Sequence, residues 1–379
     1  MRLHAGTEQE IAKVESEPIN LVTDECPHRL LLSVFVFVFD IIRLMEVRMK
    51  SVNKSWLLAL AVLATIGGTA AGAAPAPSQT VKITPLGSHD GEFCRNDRAM
   101  IFEDPDGTRI LYDAGRTVRG PDDPRLGRID GVLLSHVHGD HLGDLAPAKA
   151  NEGTCAAPKP SMKVTPNSNT VNIVVGKKAK FFVGGEMNSW FGKKVPAAGG
   201  SADQVLLIRF GGMRELGGVA IYSVPAVHSN GIDPHFLEGN LAKEMESSGL
   251  TAYVGPPGGY VLKFSNGLVA YLSGDTGVTA EQDSVVRRFL NANLTVMNIG
   301  GIFSTGPQEA AFVINDLVRP SAVIASHANE EATKDGKLVA GSKTELFMKQ
   351  VKVPVHVPLS GRTMEFDGKA KCVKGCAGM

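Results

Sequence analysis

The interpretation of this sequence depends on one stretch, Ser135-His136-Val137-His138-Gly139-Asp140-His141. It directly follows the apolar run GVLL at residues 131–134, which has the composition of a buried strand. Three imidazoles and one carboxylate so close together cannot all be buried in an apolar core, because each would need its own polar partner. A shared metal ion would satisfy all four. The spacing therefore predicts a metal site where a strand ends.

Three more metal-binding side chains follow predicted strands in the same way. His228 follows the run AIYSVPAV, Asp275 follows LVAYLS, and His327 follows AVIAS. Loops at the carboxyl ends of neighbouring strands can bring such residues to a single point. We therefore expect these three residues to join the HVHGDH run in one site.

The remainder of the chain predicts strands that alternate with turns, and later with helices. Short β-rich runs begin at about Thr80, and three segments have apolar residues at helical spacing, 280–292, 307–318 and 342–351. Residues 150–200 are rich in Pro, Lys, Asn and Gly, which predicts a long loop or hairpin insertion. Its Trp190 and Phe191 are candidates for a substrate loop that covers the metals, the alternative being that they anchor the segment on the core.

Composition excludes several classes of protein. The chain has 379 residues with 39 basic and 39 acidic side chains, so its formal net charge is zero. Without a basic stripe it lacks the electrostatic features of a nucleic-acid-binding protein. An apolar content of 43% excludes a disordered chain, and five cysteines are too few for a small disulfide scaffold. We expect a small-molecule substrate and no nucleic-acid partner, and the oligomeric state stays open.

The N-terminal part of the chain has the sequence features of a leader segment. Residues 49–73 contain two lysines, an apolar stretch from Trp56 to Ile66 and an Ala-x-Ala cleavage site, in the order of a secretory signal peptide. This stretch is too short for a stable membrane span. Our hypothesis is that residues 1–48 are an over-extended reading frame, that 74–79 are a linker and that 80–379 form the domain. The expected location is periplasmic or secreted.

Export changes how the cysteines are interpreted. Cys26 lies in the leader, which leaves Cys94, Cys155, Cys372 and Cys376 in a compartment that permits disulfides. Three pairings are open. We favour Cys94 with Cys155 and Cys372 with Cys376, because the second pair are close neighbours and the first two lie in polar, Gly-rich segments.

Together with Asp113 in LYDAG, these motifs resemble the metallo-β-lactamase-fold hydrolase superfamily over about Thr80 to Gly368. The resemblance implies an α/β (α+β) fold, a four-layer αββα sandwich, with a dinuclear metal site on one edge. It also implies a role for each motif residue: His136, His138 and His228 would hold the first metal, Asp140, His141 and His327 the second, Asp275 would bridge both, and Asp113 would brace the metal-binding loop.

The implied ligands suit two divalent ions. Imidazoles and carboxylates favour Zn²⁺, with Mn²⁺ or Fe as alternatives. Two such ions would produce a hydroxide at neutral pH and would polarise a carbonyl or phosphoryl oxygen. Asp140 is the expected catalytic residue, which would orient the hydroxide and pass a proton to the leaving group.

Asp275 discriminates between branches of the superfamily. True β-lactamases of this fold generally lack the bridging aspartate, whereas lactonases, thioesterases and phosphodiesterases have it. The segments GGYV at 258–261 and NIGGIFSTGPQEAA at 298–311 resemble the UlaG-like, lactonase-related branch. We expect an exported hydrolase of esters, lactones or related bonds. The alternatives are a phosphodiesterase, a weak β-lactam hydrolase and, from another class, a non-catalytic zinc-binding protein.

Overall fold

The computed structural model describes residues 79–376 of the chain. The predicted N-terminal extension 1–48, the signal peptide 49–73 and nearly all of the linker 74–79 lie outside the described residues. Within the described range, no helix combines the length and the apolar character needed to cross a membrane.

Fifteen of the strands form two large sheets, one of eight strands and one of seven. Each sheet is antiparallel on one side and parallel on the other. In spatial order, the strands of the first sheet are Cys372–Lys374, Met364–Phe366, Val81–Pro85, Met100–Glu103, Arg109–Tyr112, Gly131–Leu133, Lys180–Val183 and Val205–Leu207. Those of the second are Val355–His356, Ala322–Ser326, Leu294–Asn298, Val269–Leu272, Gly258–Lys263, Val219–Pro225 and Met213–Leu216.

Three two-stranded ribbons and a set of helices complete the described part. The ribbons pair Leu145–Ala146 with Met162–Lys163, Gly231–Ile232 with Ala252–Tyr253, and Thr333–Lys334 with Lys337–Leu338. The α-helices are Gly139–Leu142, Asn169–Lys177, Met187–Ala197, Gly239–Ser247, Pro307–Phe312 and Lys343–Gln350. Two π-helices, Gln282–Phe289 and Val313–Val318, and two 3₁₀ turns, Ala202–Gln204 and Pro234–Phe236, are also present.

Successive side chains of a strand point to opposite faces of its sheet. The two sheets therefore contribute to three separate apolar cores. Ile110 and Tyr112 point into the core between the two sheets, where they meet Leu262 and Leu272. Leu111, between them, lies in the core under the helices of the first sheet. Another core joins the outer face of the second sheet to its helices. Helices therefore cover both outer faces of a double sheet, and the predicted αββα sandwich is confirmed.

The prediction of a loop or hairpin insertion at residues 150–200 is wrong for residues 169–200. The segment contains the helix Asn169–Lys177, the strand Lys180–Val183 inside the first sheet, and the helix Met187–Ala197. One face of each helix is buried and apolar, with Val171, Ile173 and Val174 in the first and Phe191 and Val195 in the second. The low apolar content therefore reflects amphipathic helices rather than a loop.

Trp190 and Phe191 therefore do not form a substrate loop. Phe191 is fully buried and packs edge-on against Phe181, with ring centroids 4.8 Å apart. Trp190 is half-buried on the same helix, beneath the ammonium group of Lys194. Both residues anchor the helix Met187–Ala197 on the first sheet, which was the alternative interpretation.

The described cysteines pair as favoured. Cys94 is bonded to Cys155, and Cys372 to Cys376. The first disulfide attaches the segment around residue 155 to the turn that contains Arg95, whose backbone N–H donates to the carbonyl of Cys155 at 3.3 Å. The second joins the last strand of the first sheet to the C-terminal segment.

Candidate metal centre

The sequence-predicted ligands meet at one edge of the double sheet, because the strands that precede them end there. The HVHGDH run follows the strand Gly131–Leu133 and turns into the short helix Gly139–Leu142, whose first turn contains Asp140. The other residues follow strands of either sheet: Asp113 follows Arg109–Tyr112, His228 follows Val219–Pro225, Asp275 follows Val269–Leu272 and His327 follows Ala322–Ser326.

Two groups of three side chains are arranged as ligand sets. The ligand atoms of His136, His138 and His228 all lie within 4.8 Å of one another. In this group, Nε2 of His228 is 3.2 Å from Nδ1 of His138.

The second set consists of Asp140, His141 and His327, with the same upper limit of 4.8 Å between ligand atoms. Nε2 of His327 is 3.3 Å from Oδ2 of Asp140. The two sets are the two groups that the sequence motifs predict.

Asp275 lies between the two sets. Its carboxylate forms a third group of ligand atoms with His136 and His141, one residue from each set. Oδ2 is 3.1 Å from Nε2 of His327 and 3.8 Å from Nε2 of His228, and Oδ1 is 3.5 Å from Nε2 of His141. The carboxylate of Asp275 is therefore within reach of ligand atoms from both sets.

The side chains present fit a metal centre. Within residues 79–376, Nε2 of His136, His141 and His327 and Oδ1 of Asp275 are buried without a hydrogen-bond partner. Each such atom costs about 1–3 kcal/mol when it is left unsatisfied. Four of them directed at one another would be strongly unfavourable, whereas imidazole nitrogens and carboxylate oxygens around a divalent cation satisfy one another.

Asp113 holds the metal-binding loop from behind. Its Oδ1 accepts from the backbone N–H of Ser135 at 2.8 Å, and its Oδ2 accepts from the hydroxyl of Ser135 at 2.7 Å. Nδ1 of His141 lies 2.8 Å from the same Oδ2. A proton on Nδ1 leaves Nε2 of His141 free as a ligand atom. Asp113 thus selects the tautomer and orientation of His141.

Backbone strain is concentrated at two of these positions. Asp113 and His327 have φ angles of 42° and 48°, in a region that non-glycine residues rarely adopt. Gly300 makes room for His327, because a Cβ at residue 300 would lie 2.7 Å from the carbonyl oxygen of His327 and 2.9 Å from its Nδ1. The second glycine-dependent contact is at Gly115, where a Cβ would overlap the carbonyl oxygen of Asp140.

Arg98 lies behind Asp140 and was not among the residues predicted from the sequence. The Nε and Nη2 atoms of Arg98 donate to Oδ2 of Asp140 at 3.1 and 2.9 Å, and Nη2 also donates to Oδ1 of Asn329 at 2.6 Å. Only 4% of the Arg98 side chain is exposed. A single arginine two residues before the strand Met100–Glu103 forms no pattern that would have revealed this contact, since its partners are distant in sequence.

Burial and neighbouring charges shift the pKa values of four histidines in the centre. Burial lowers the pKa of His136 well below its usual range and lowers those of His138 and His228. These imidazoles are therefore neutral at pH 7, the form that binds metals. Burial also disfavours the charged form of His141, but the neighbouring carboxylates outweigh it and raise the pKa to about 10.

The carboxylates of the centre are ionised. Burial disfavours the charged form of Asp140, but His141, Arg98 and His327 outweigh it and hold the pKa well below its usual range. For Asp275, the nearby His327 and His141 overcome the effect of burial and also hold the pKa well below normal. Both side chains are thus available as anionic ligands.

A cavity of about 370 Å³ leads to these ligands. Besides five of the ligand residues, its lining contains Arg95, Ser229, Phe303 and Asn329. The hydroxyl of Ser229 lies 3.3 Å from Nε2 of His138. This size is sufficient for a small organic substrate.

Comparisons with known proteins agree with this site. A β-lactamase superfamily domain model matches residues 108–328, more than half of the chain and the range that contains every candidate ligand. A metal-dependent hydrolase of Polynucleobacter asymbioticus is 27% identical over 69% of this chain and 81% of its own length. Another, from Herpetosiphon aurantiacus, is 26% identical over 57% of this chain and 73% of its own.

The same fold occurs in a solved metallo hydrolase of the archaeon Ignicoccus hospitalis. It is 21% identical, with a TM-score of 0.50, and the match covers 76% of this chain and 99% of the other. The fold and the histidine and aspartate centre together define the class of metal-dependent hydrolases of the metallo-β-lactamase fold. This chain belongs to the β-lactamase superfamily, and the predicted assignment to a metal-dependent hydrolase is confirmed at that level.

Proposed function

We propose that the protein is an exported hydrolase that binds two divalent metal ions, with Zn²⁺ preferred, and cleaves an ester, lactone or related bond. The observation that carries this proposal is the position of Asp275 between two complete ligand sets. A structural zinc site would be closed by four protein ligands, whereas two sets of three that share one carboxylate leave coordination positions open.

The residues of the centre would have different roles in the reaction. Two bound divalent ions would supply an activated water at neutral pH and polarise the carbonyl oxygen of the substrate. His136, His138 and His228 present neutral nitrogens on one side, and Asp140, His141 and His327 the ligands on the other. Asp113 and Ser135 keep His141 oriented, so that little reorganisation is needed when the substrate binds.

Asp140 is the group that we assign to proton transfer. Arg98 fixes one of its oxygens through two hydrogen bonds, which leaves the other free. As an ionised carboxylate, Asp140 would accept the proton that the activated water loses and pass it to the leaving-group oxygen, with Arg98 as a positioning residue.

The substrate class follows from the bridging position of Asp275. It favours the lactonase-related branch of the superfamily, with a phosphodiesterase as the second candidate because the same centre would polarise a phosphoryl oxygen. β-Lactam hydrolysis is expected to be weak. A non-catalytic zinc-binding protein is the alternative from another class.

The proposed location is the periplasm or the exterior of the cell. Two disulfides within the described residues agree with an oxidising compartment. N-terminal sequencing and peptide mass spectrometry of the natural protein test this proposal. We expect a mature chain that begins near Ala74, and any peptide from before Met45 would contradict the assignment of residues 1–48.

The hydrolytic proposal is tested on purified mature protein stripped with a chelator and then reloaded with Zn²⁺ or Mn²⁺. The reloaded protein should contain two ions per chain and hydrolyse members of a panel of lactones, thioesters, aryl esters and phosphodiesters. His327→Ala is expected to lower both the metal content and the activity. Full activity without metal would refute the mechanism, and two ions without hydrolysis across the panel would support the non-catalytic alternative.

A further inference from the structure

A turn next to the metal centre exposes two large apolar side chains. The backbone N–H of Ser304 donates to the carbonyl of Gly301 at 2.7 Å, which closes a turn with Ile302 and Phe303 at its central positions. Ile302 is 94% exposed and Phe303 66%. Turn centres usually contain Gly, Asn, Asp or Pro, so these two residues are not explained by turn geometry.

Hydrogen bonds attach this turn to the loop of Asp275. The backbone N–H of Thr305 donates to the carbonyl of Thr276 at 3.1 Å. Gly277 in turn donates to the carbonyl of Val227 at 3.0 Å, and Val227 donates to the hydroxyl of Thr276. Val227 is 59% exposed and directly precedes the ligand His228. The three apolar residues therefore lie on loops that are connected to one another and to the ligands.

Phe303 also lines the cavity that contains His138, Asp140, His228, Asp275 and His327. An apolar ring thus faces the same space as the charged ligands. An exposed apolar side chain that lines a polar cavity, with two more on connected loops, is typical of a binding surface rather than of a random surface position.

We propose that Ile302, Phe303 and Val227 form an apolar subsite that binds a hydrophobic substituent, an acyl chain or aryl group, of the hydrolysed substrate. This inference rests on the proposed function. It goes further by specifying an ester or lactone with a hydrophobic arm rather than a fully polar sugar derivative. The shared cavity is the reason for choosing the substrate as occupant, because a group bound at the ligands would place its substituent against Phe303.

Chain-length dependence of hydrolysis is the first test. The metal-loaded protein is assayed with p-nitrophenyl acetate, butanoate, hexanoate and octanoate. We expect kcat/KM to rise by about 10-fold or more from acetate to hexanoate, since even one added methylene that binds in an apolar pocket changes kcat/KM by about 10-fold. Phe303→Ser should remove most of this rise.

Phe289 provides a matched control. It is 66% exposed, as Phe303 is, but it ends the helix Gln282–Phe289. Asn293, shortly after it, donates to the carbonyl of Val269, at the start of the strand whose other end leads to Asp275. Phe289→Ser should therefore leave the hexanoate-to-acetate ratio of kcat/KM as in the wild type. An equal loss of the ratio in both variants would overturn the proposal.

A binding measurement separates this inference from the proposed reaction. Isothermal titration calorimetry of the metal-loaded protein with acetate, butanoate, hexanoate and octanoate requires no turnover. Affinity should increase with chain length in the wild type and in Phe289→Ser, and should be nearly independent of chain length in Phe303→Ser. If hydrolysis is absent but this dependence is present, the subsite stands and the proposed reaction fails.

Other occupants would give different results. If chain length affects neither hydrolysis nor carboxylate binding, the subsite is refuted. Loss of self-association or of binding to phosphatidylcholine vesicles in Phe303→Ser, with unchanged chain-length dependence, would assign the patch to a second copy of the chain or to a lipid surface instead.

Discussion

Replacing Asp113 by Asn tests how the loop behind the metal centre works. The side chain is buried and accepts from both the backbone and the hydroxyl of Ser135, with His141 at 2.8 Å. Asn keeps one acceptor oxygen for the Ser135 N–H but presents an NH₂ group to Nδ1 of His141. The NH₂ group of the new Asn and the Nδ1–H group of His141 are both donors, so they cannot form a hydrogen bond with each other. His141 therefore adopts the tautomer that carries its proton on Nε2.

The size of the effect follows from these contacts. A tautomer with its proton on Nε2 cannot bind metal, and one unsatisfied buried donor costs about 1–3 kcal/mol. Since each 1.4 kcal/mol is about tenfold in affinity, we expect metal binding to weaken by about 10- to 100-fold, the usual range for groups that orient a ligand. Competition with a chromophoric chelator measures this change directly.

Asp104→Asn is the control for this experiment. Asp104 is equally buried and accepts from the N–H and hydroxyl of Ser265 at 2.8 and 2.7 Å, the same arrangement that Asp113 makes with Ser135. Among residues 79–376, no histidine is a hydrogen-bond partner of Asp104. Asp104→Asn should destabilise the fold to a similar degree without changing metal affinity. Wild-type affinity in Asp113→Asn, or an equal loss in both variants, would refute the tautomer argument.

Three further predictions concern the core, the pH dependence and Asp140. Phe191→Ala should lower the free energy of unfolding in urea by about 3–5 kcal/mol, with a smaller loss for Trp190→Ala, because Phe191 is fully buried; unchanged stability with altered KM would instead support a lid. Burial raises the pKa of Asp97 to about 6, so its stabilising contribution is complete below about pH 4 and is lost as the pH rises through 6. The stability of the wild type relative to Asp97→Asn should therefore fall by roughly 3 kcal/mol between pH 4 and 7 in urea titrations, and a difference independent of pH would contradict the shift. Arg98→Met should lower kcat by about 10-fold or more and should move the limb of the pH–rate profile that reports Asp140 to higher pH, because the carboxylate loses two charged hydrogen bonds. Arg98→Lys should be intermediate, and an unmoved limb would show that Arg98 has only a structural role.

The sequence by itself determined the fold class and the candidate ligand set. Metal ligands in this fold stand where strands end, so each one follows an apolar run that can be read locally, as the GVLL run before His136 and the AVIAS run before His327 show. The spacing within HVHGDH is also local, because a short helix places Asp140 and His141 on the same side as the strand end. Neither feature requires knowledge of distant contacts.

Only the tertiary structure decided the surroundings of the centre. Arg98 and Asn329 meet although 231 residues separate them, and the register of two different sheets brings them together. Part of the polar segment 150–200 forms helices because one face of each helix packs on the first sheet. Phe191 is therefore buried in the core, and Phe303 is the aromatic residue that lines the cavity at the candidate metal centre. Composition averages over both faces of a helix, whereas burial depends on the single face that the sheet covers.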